Sequence, residues 1–372
     1  MNYTKLFLSV VALSQVSLSA FPALKDKEIM YKTPEPLNPP TYICYKAPSK
    51  ITIDGKLSKS EWDAIPWTSD FVDIEGDKQP LPYLQTRAKM TYDQDGMYFA
   101  VLMEEPHVWA TIKEHDAVIY HDNDFEIFLN PSGDTHNYLE YEINAYGTDW
   151  DLFLNKPYRD PGNIVLNNWE FAGMKKAVYV DGTLNNPKDK DKSWSVEVFI
   201  PWKSIYQVMR GKEKPQDGDQ LRINFSRVQW PTKIENNKYV KVPKQGQDKI
   251  AEYNWVWAPT GVINIHLPEY WGYVQLSNKV AGKGEDVFKA NPDEEYKWIL
   301  RQLYYRQQEY KSVNGEYASK VSSLKPEEVC KPEVAKRIKL YTTPGYYELT
   351  LSAPNKLWHI RHDGLKKKKK KG

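Results

Sequence analysis

The stretch "YLEYEINAYGTDWD", residues 138–151, alternates with the period of a β-strand: Leu139, Tyr141, Ile143 and Ala145 fall on one face, and Glu140, Glu142 and Asn144 on the other. It ends in an acidic, aromatic turn. Two acids and an amide on the second face make it either plain solvated exterior or the floor of a polar binding site. Other runs repeat the pattern. "DFEIFLN" (124–130) sets Phe125, Ile127 and Leu129 against Asp124, Glu126 and Phe128. "LRINFS" (221–226) sets Leu221, Ile223 and Phe225 against Arg222, Asn224 and Ser226, and in "WSVEVFI" (194–200) the odd residue is Glu197. If these strands are sheet neighbours, Glu126, Glu142, Asn144 and Asn224, with Glu197 as a further candidate, converge on one surface. Carboxylates and amides at strand spacing suit a sugar, whose vicinal hydroxyls both donate and accept hydrogen bonds.

From residue 51 to 277 the chain is a succession of short alternating runs separated by turn signals, among them "ITIDG", "TRAKMTYDQDGMYFAVLMEE", "KKAVYVDGTL" and "WGYVQLS". Strands at this spacing predict a mainly β protein, an antiparallel β-sandwich and not an α/β winding. One helix is expected early, in "LSKSEWDAIPW", where Ser58 and Glu61 have capping-box spacing and Trp62 can turn inward. After a polar linker over 278–292, "DEEYKWILRQLYYRQQEYKSV" reads as an amphipathic helix. A hairpin around Pro344 and Gly345 and a last strand in "KLWHIRHDG" complete a small C-terminal α+β unit over 293–365.

The N-terminus reads as a secretory signal peptide over 1–20, one lysine before an apolar run too short to span a membrane, with cleavage after Ala20 or, second, Ala23. That predicts an exported protein, periplasmic or extracellular. A proline-rich lead-in, 21–44, follows. The net charge of +2 gives no sign of a nucleic-acid partner, and the lysine tail over 366–372 reads as a mobile end or a contact for an anionic surface. Cys44 and Cys330 are the only cysteines, either a disulfide joining the two ends of the chain or two buried thiols. The 13 Trp and 26 Tyr are unusually many; many of these rings are core, but exported sugar-handling proteins also expose such rings as apolar platforms.

Taken in order, "ITIDGKLSKSEWDAIPW", "YDQDGMYFAVLMEEP", "HDNDFEIFLNP", "YLEYEINAYGTDWD", "WSVEVFIPW" and "INFSRVQW" resemble the family 9 carbohydrate-binding module, and more narrowly the exported bacterial family 9-like carbohydrate-binding proteins. The resemblance covers residues 45–277. It implies an immunoglobulin-like sandwich that binds an oligo- or polysaccharide, in known modules at a chain end, with calcium as a structural companion. Carried over by position, it implies Glu126 as the ligand-binding carboxylate and Tyr120 as the aromatic before that strand, where the family has a tryptophan. Glu142 and Asn144 become the polar contacts of the next strand, and Asn224 the amide of the later one. The second ring of the aromatic sandwich falls at His266, with Trp255 and Trp257 earlier in the same region.

Trp62, Trp67, Trp202 and Trp271 read as packing. Asp122, Asp124, Asp149 and Asp151 offer the hard oxygens that calcium takes, without a twelve-residue calcium loop. Two other function classes stay open. Glu126 paired with Glu142 or Glu197 has the composition of a glycoside hydrolase site, although no catalytic residue is assigned. A haem-binding sandwich would draw on His107, His115, His121 or His266 with Met103. Arg222, Arg227, Asn144 and Asn224 are expected to donate to Glu126 and Glu142 and hold them ionised, which favours binding over acid catalysis.

Overall fold

The computed structural model describes residues 38–370 apart from 161 and 210. The expected signal peptide, most of the lead-in and the last two residues lie outside the described residues. The strands, in chain order, are β1 (Thr41–Lys46), β2 (Val72–Asp73), β3 (Thr86–Tyr92), β4 (Gly96–Glu104), β5 (Asp124–Asn130), β6 (Tyr138–Asn144) and β7 (Asp149–Leu154). They continue with β8 (Val165–Leu166), β9 (Lys175–Asp181), β10 (Ser193–Pro201), β11 (Gln220–Gln229), β12 (Thr232–Glu235), β13 (Lys238–Lys241), β14 (Tyr253–Val256) and β15 (Gly272–Val280).

The hydrogen-bonded order β8-β7-β6-β5-β11-β15-β1-β3-β4-β10-β9 runs as one path that doubles back on itself. Pairing is antiparallel except around β1, which runs parallel to β15 along its length and touches β3 only at Lys46 and Tyr92. That single bridge is the seam between two layers. Each layer turns the apolar side of its alternation inward, Phe99, Val101, Val196 and Val198 from one and Phe125, Ile127, Tyr141, Ile143, Ile223 and Phe225 from the other. Phe225 lies at the contact, with Phe99 at 6.1 Å and Phe125 at 5.6 Å between ring centroids. The result is the expected mainly β, sandwich-like architecture of immunoglobulin-like outline.

A small α+β unit follows, as expected. The helix Glu294–Asn314 packs Leu300, Leu303 and Tyr304 against a four-stranded sheet of β16 (Ile338–Thr343), β17 (Tyr346–Ser352), β18 (Lys356–Arg361) and β19 (Lys366–Lys370). Gly315 ends the helix at φ 80°, a left-handed conformation that costs glycine little. The lysine run is therefore not a free tail over 366–370. It forms the edge strand β19 against β18, with Lys366 buried and Lys367, Lys368 and Lys369 exposed.

Three further expectations change, and the open choice for the cysteines is resolved. Residues 41–44 belong to β1, not to a surface lead-in. The early helix shrinks to one 3-10 turn, Ser60–Trp62, without a side-chain cap, because its residues are drawn to a tertiary anchor. That anchor is Glu197, which accepts from the Asp54 and Gly55 amides at 2.8 and 2.7 Å, from Lys59 Nζ at 2.9 Å and from Trp62 Nε1 at 2.6 Å. Glu197 thus serves the other layer and does not join the polar face. The cysteines are both free: Cys44 is sealed in the sandwich core, and Cys330 lies in the C-terminal unit with its thiol on the Pro326 carbonyl.

Candidate functional site

The strands carrying the polar alternation are neighbours, in the order β6-β5-β11. Glu126 stands directly opposite Glu142 on one side and Ser226 on the other, Asp124 opposite Asn144, and Phe128 opposite Glu140. Because direct cross-strand partners approach closely, the register alone brings the acids together. The carboxyl oxygens of Asp124, Glu126 and Glu142 lie within 4.8 Å of one another.

This face is not solvated exterior. Asp124, Asn144 and Asn224 are fully buried, Glu142 is nearly so, and only Glu126 and Glu140 keep a small opening, at 6% and 5% exposure. Burial pushes the Glu126 carboxyl up to about 7, against a weaker pull from Ser226 and with help from the charge of Glu252. Asp124, Glu140 and Glu142 are raised as well, first by burial and then by the charge of Glu126. Crowded acids in a dry face hold protons. Asp124 Oδ2 and Glu140 Oε2 have no hydrogen-bond partner, so the face has unspent polar capacity.

The expected ionising donors are used elsewhere. Arg222 stacks on Tyr273 at 3.6 Å and donates to the Glu269 carbonyl, while Arg227 serves Thr86, Gln229, Glu105 and the Glu104 carbonyl. Asn144 donates to the Ile112 carbonyl and to Asp122 and accepts from the Tyr146 and Thr148 amides. Asn224 makes a two-way pair with the Ala258 backbone, both bonds 2.9 Å. A side-chain amide matches a peptide in donor and acceptor, so both asparagines fasten loops over the sheet instead of facing a ligand. Asp122 is likewise consumed by the 111–112 turn.

Two rings flank the acids. Tyr120 is 37% exposed, its amide donates to Glu142 at 3.1 Å, and its carbonyl accepts from Trp230 Nε1 at 2.8 Å. Tyr158, in the loop between β7 and β8, is 44% exposed. Its hydroxyl pKa is raised by burial and then by Glu140, Glu142 and Tyr120, and its ring contacts His266, which packs on Phe128, the cross-strand partner of Glu140. His266 meets the edge of the Tyr158 ring at 4.6 Å and shares a 2.9 Å hydrogen bond with the Tyr138 hydroxyl. Burial and then Arg159 push its pKa down to about 3, so it is a neutral buttress behind the ring. Trp255 and Trp257 are core: Trp255 packs against Tyr83 and Tyr253, and Trp257 against Tyr42 and Phe225. Trp62, Trp202 and Trp271 are buried as expected, and Trp67 is half-buried under Arg87 and Lys89.

Of the expected residues, then, Tyr120, Glu126 and Glu142 come together and His266 stands behind them. Tyr158, Glu140 and Glu252 were missed. Glu140 was legible, one alternation step before Glu142. Nothing in "KPYRDPG" marks Tyr158 beyond an aromatic in a proline-flanked turn.

Residues 53–226 match the family model described as carbohydrate family 9 binding domain-like. Over that span the sandwich is similar to the family 9-like carbohydrate-binding domains. Among solved structures, a Bacteroides uniformis protein proposed to bind carbohydrate is similar at 16% identity and TM-score 0.48, covering 64% of this chain and 100% of its own. A family 9 module from Caldicellulosiruptor kristjanssonii in complex with glucose is similar at 13% identity and TM-score 0.41 (66% and 100% covered). Its complex with cellotriose is similar at 14% identity and TM-score 0.40 (67% and 100%). Comparison with curated protein sequences gives no match.

A second polar region of the sandwich lies apart from the tyrosines. A cleft of about 600 Å³ is lined by Lys113, His115, Asp149, Glu170 and Lys176, among others. At it, His115, Asp116, Asp151 and Glu170 bring ligand atoms within 4.8 Å, and the buried Asp151 Oδ1 has no partner. Three carboxylates with an orphaned oxygen fit a hard cation such as calcium, while His115 and the Lys176–Asp149 ion pair supply positive charge nearby. The residues named for haem are dispersed: Met103 is in the core, His107 is against Tyr239, His115 is at this cleft, His121 is against Tyr120 and His266 is behind Tyr158.

Proposed function

We propose that the sandwich binds an oligo- or polysaccharide between Tyr120 and Tyr158, with Glu126, Glu140 and Glu252 as polar contacts. The observation that carries this reading is the pair of half-exposed rings beside a buried floor whose Asp124 and Glu140 oxygens lack partners. Rings supply the apolar contact for sugar CH groups, and partly protonated acids both donate to and accept from hydroxyls. The signal-like N-terminus supports an exported location. No helix among the described residues is long and apolar enough to cross a membrane. Calcium held by Asp116, Asp151 and Glu170 would be a structural companion, cross-linking the turn before β5 to β7 and the 170 loop.

The test is a glycan array with the full-length protein, followed by calorimetry; glucose and cellotriose are the first probes, being the sugars of the Caldicellulosiruptor complexes. Saturable binding lost in Tyr120→Ala and Tyr158→Ala is expected. Binding that both variants retain would place the sugar elsewhere. The rise of Glu126 to about 7 also fits a general acid, so hydrolysis is the second reading. Product release that disappears in Glu126→Gln while binding persists would establish it.

A further inference from the structure

We propose that the C-terminal α+β unit is a working part of the sugar site, its helix residues Tyr304, Tyr305 and Arg301 acting as positioning residues for Tyr158. The inference rests on the sugar-binding reading above. Tyr158 sits on a turn fastened to itself by few bonds, the Asn155 and Ile164 backbone pair at 3.1 Å, the Ile164 amide on Asn155 Oδ1 and the Asp160 amide on the Pro157 carbonyl. The next two residues point the other way, into the helix Glu294–Asn314. Arg159 donates through Nη2 to both oxygens of Glu269, at 2.9 and 3.1 Å, and its guanidinium lies over the Tyr305 ring at 5.5 Å. Asp160 accepts from the Tyr304 hydroxyl, and Glu269 accepts from the Tyr305 hydroxyl.

The other flank of Tyr158 ends on the same helix. Its edge partner His266 belongs to the segment leading to Glu269, and the His266 carbonyl accepts from Arg159 Nη1 at 3.5 Å. Arg301 ties this corner to the start of β6, donating through Nη2 to Thr135 Oγ1 at 2.7 Å and to the Gly364 carbonyl at 2.8 Å. The side chains of Arg159, Asp160, Glu269 and Arg301 are all at 0–2% exposure, two of each charge. Bulk solvent does not reach these side chains, and their mutual bonds hold the 158–160 turn in one place. A ring held in place before the sugar arrives spares the complex the entropy of ordering it. If the cluster only glued the two units together, it would alter stability and leave sugar affinity unchanged.

The experiment uses the full-length protein with Tyr304→Phe, which removes the hydroxyl on Asp160 but keeps the ring, and Tyr305→Phe as a second variant. Amide hydrogen exchange over residues 155–164 and calorimetric affinity are measured together. The sugar is cellotriose or, where the array ranks another oligosaccharide higher, that one. Exchange faster by about tenfold within 155–164, with affinity lower by three- to tenfold and unchanged exchange in β5, β6 and β11, is expected. Exchange as in wild type in both variants, or a loosened turn with wild-type affinity, would overturn the proposal. Tyr120→Ala separates the two failures: it should weaken binding without loosening 155–164, and a Tyr120→Ala and Tyr158→Ala pair that both bind normally would instead sink the sugar reading itself.

Discussion

The molecule buries acids at two places, and Glu269 at one of them is held in the opposite way from the group at the other. On the outer face of β5 and β6, Glu126, Glu140, Glu142 and Asp124 face one another without a cation, and all are raised toward protonation. At the corner where the helix meets the sandwich, burial works to raise Glu269 too, but Arg159 and then Arg301 overcome it and hold the carboxyl well below its usual range. The first group has no cation to offset its burial; the second is paired with two, although Asp160 Oδ2 and Arg301 Nη1 have no hydrogen-bond partner and burial still raises Asp160 to about 6. Uncompensated burial lowers stability and leaves groups free to meet a ligand, whereas compensated burial fixes geometry.

Breaking the compensated cluster should have the largest effect. Glu269→Gln leaves two buried guanidinium groups short of an anion, and a loss of roughly 3–5 kcal/mol is expected, read as a lower urea midpoint. An unchanged midpoint would mean that water reaches the cluster. Glu126→Gln should do the reverse. The folded pKa of Glu126, about 7, lies above the ordinary value of 4.5, so the native state holds the extra proton, and unfolding free energy falls as pH rises from 4.5 to 7. The variant removes that penalty, gaining roughly 1–3 kcal/mol at pH 8 and nothing below pH 4.5. Melting curves at the two pH values check it, and an equal shift at both would refute the ionisation argument. Tyr120→Ala should cost about tenfold in sugar affinity, roughly 1.4 kcal/mol, with little change in melting, since the ring is half-exposed. The smallest effect is none at all: with both cysteines free, a reductant should leave the melting temperature unchanged, and a drop would reveal a disulfide.

Much of this was legible because a period of two is a local property. The alternation in "DFEIFLN" and "YLEYEINAYG" placed Glu126 and Glu142 on one side of neighbouring strands, and the observed register sets them face to face. What covers that face is not local. Asn144 and Asn224 looked like ligands from their strand positions, but their partners, Ile112, Asp122 and Ala258, come from distant loops that no spacing reveals. Trp255 and Trp257 looked like platforms because exposure of a ring depends on what lies beyond it, here Tyr83 and Tyr42. The donors expected for Glu126 failed for a related reason. Arg222 shares its strand face yet reaches the Glu269 carbonyl, because a long side chain follows the nearest acceptor and not the register. Tyr158 sits on a turn whose next two residues find their partners, Glu269, Tyr304 and Tyr305, more than a hundred positions later, which no local pattern reveals.

The seam between the layers bears on the order of events as the chain folds. β1, first of the described strands, finds its full-length partner only in β15, where Thr41 meets Tyr273 and Leu276 meets Cys44. While the chain is being made, β3, β4, β9 and β10 can pair among themselves, but β1 stays an open edge until nearly the whole sandwich has emerged. Such a late, long-range closure makes folding slow and leaves an unpaired edge exposed in the meantime. The half-made protein is therefore the form most in need of protection from its neighbours.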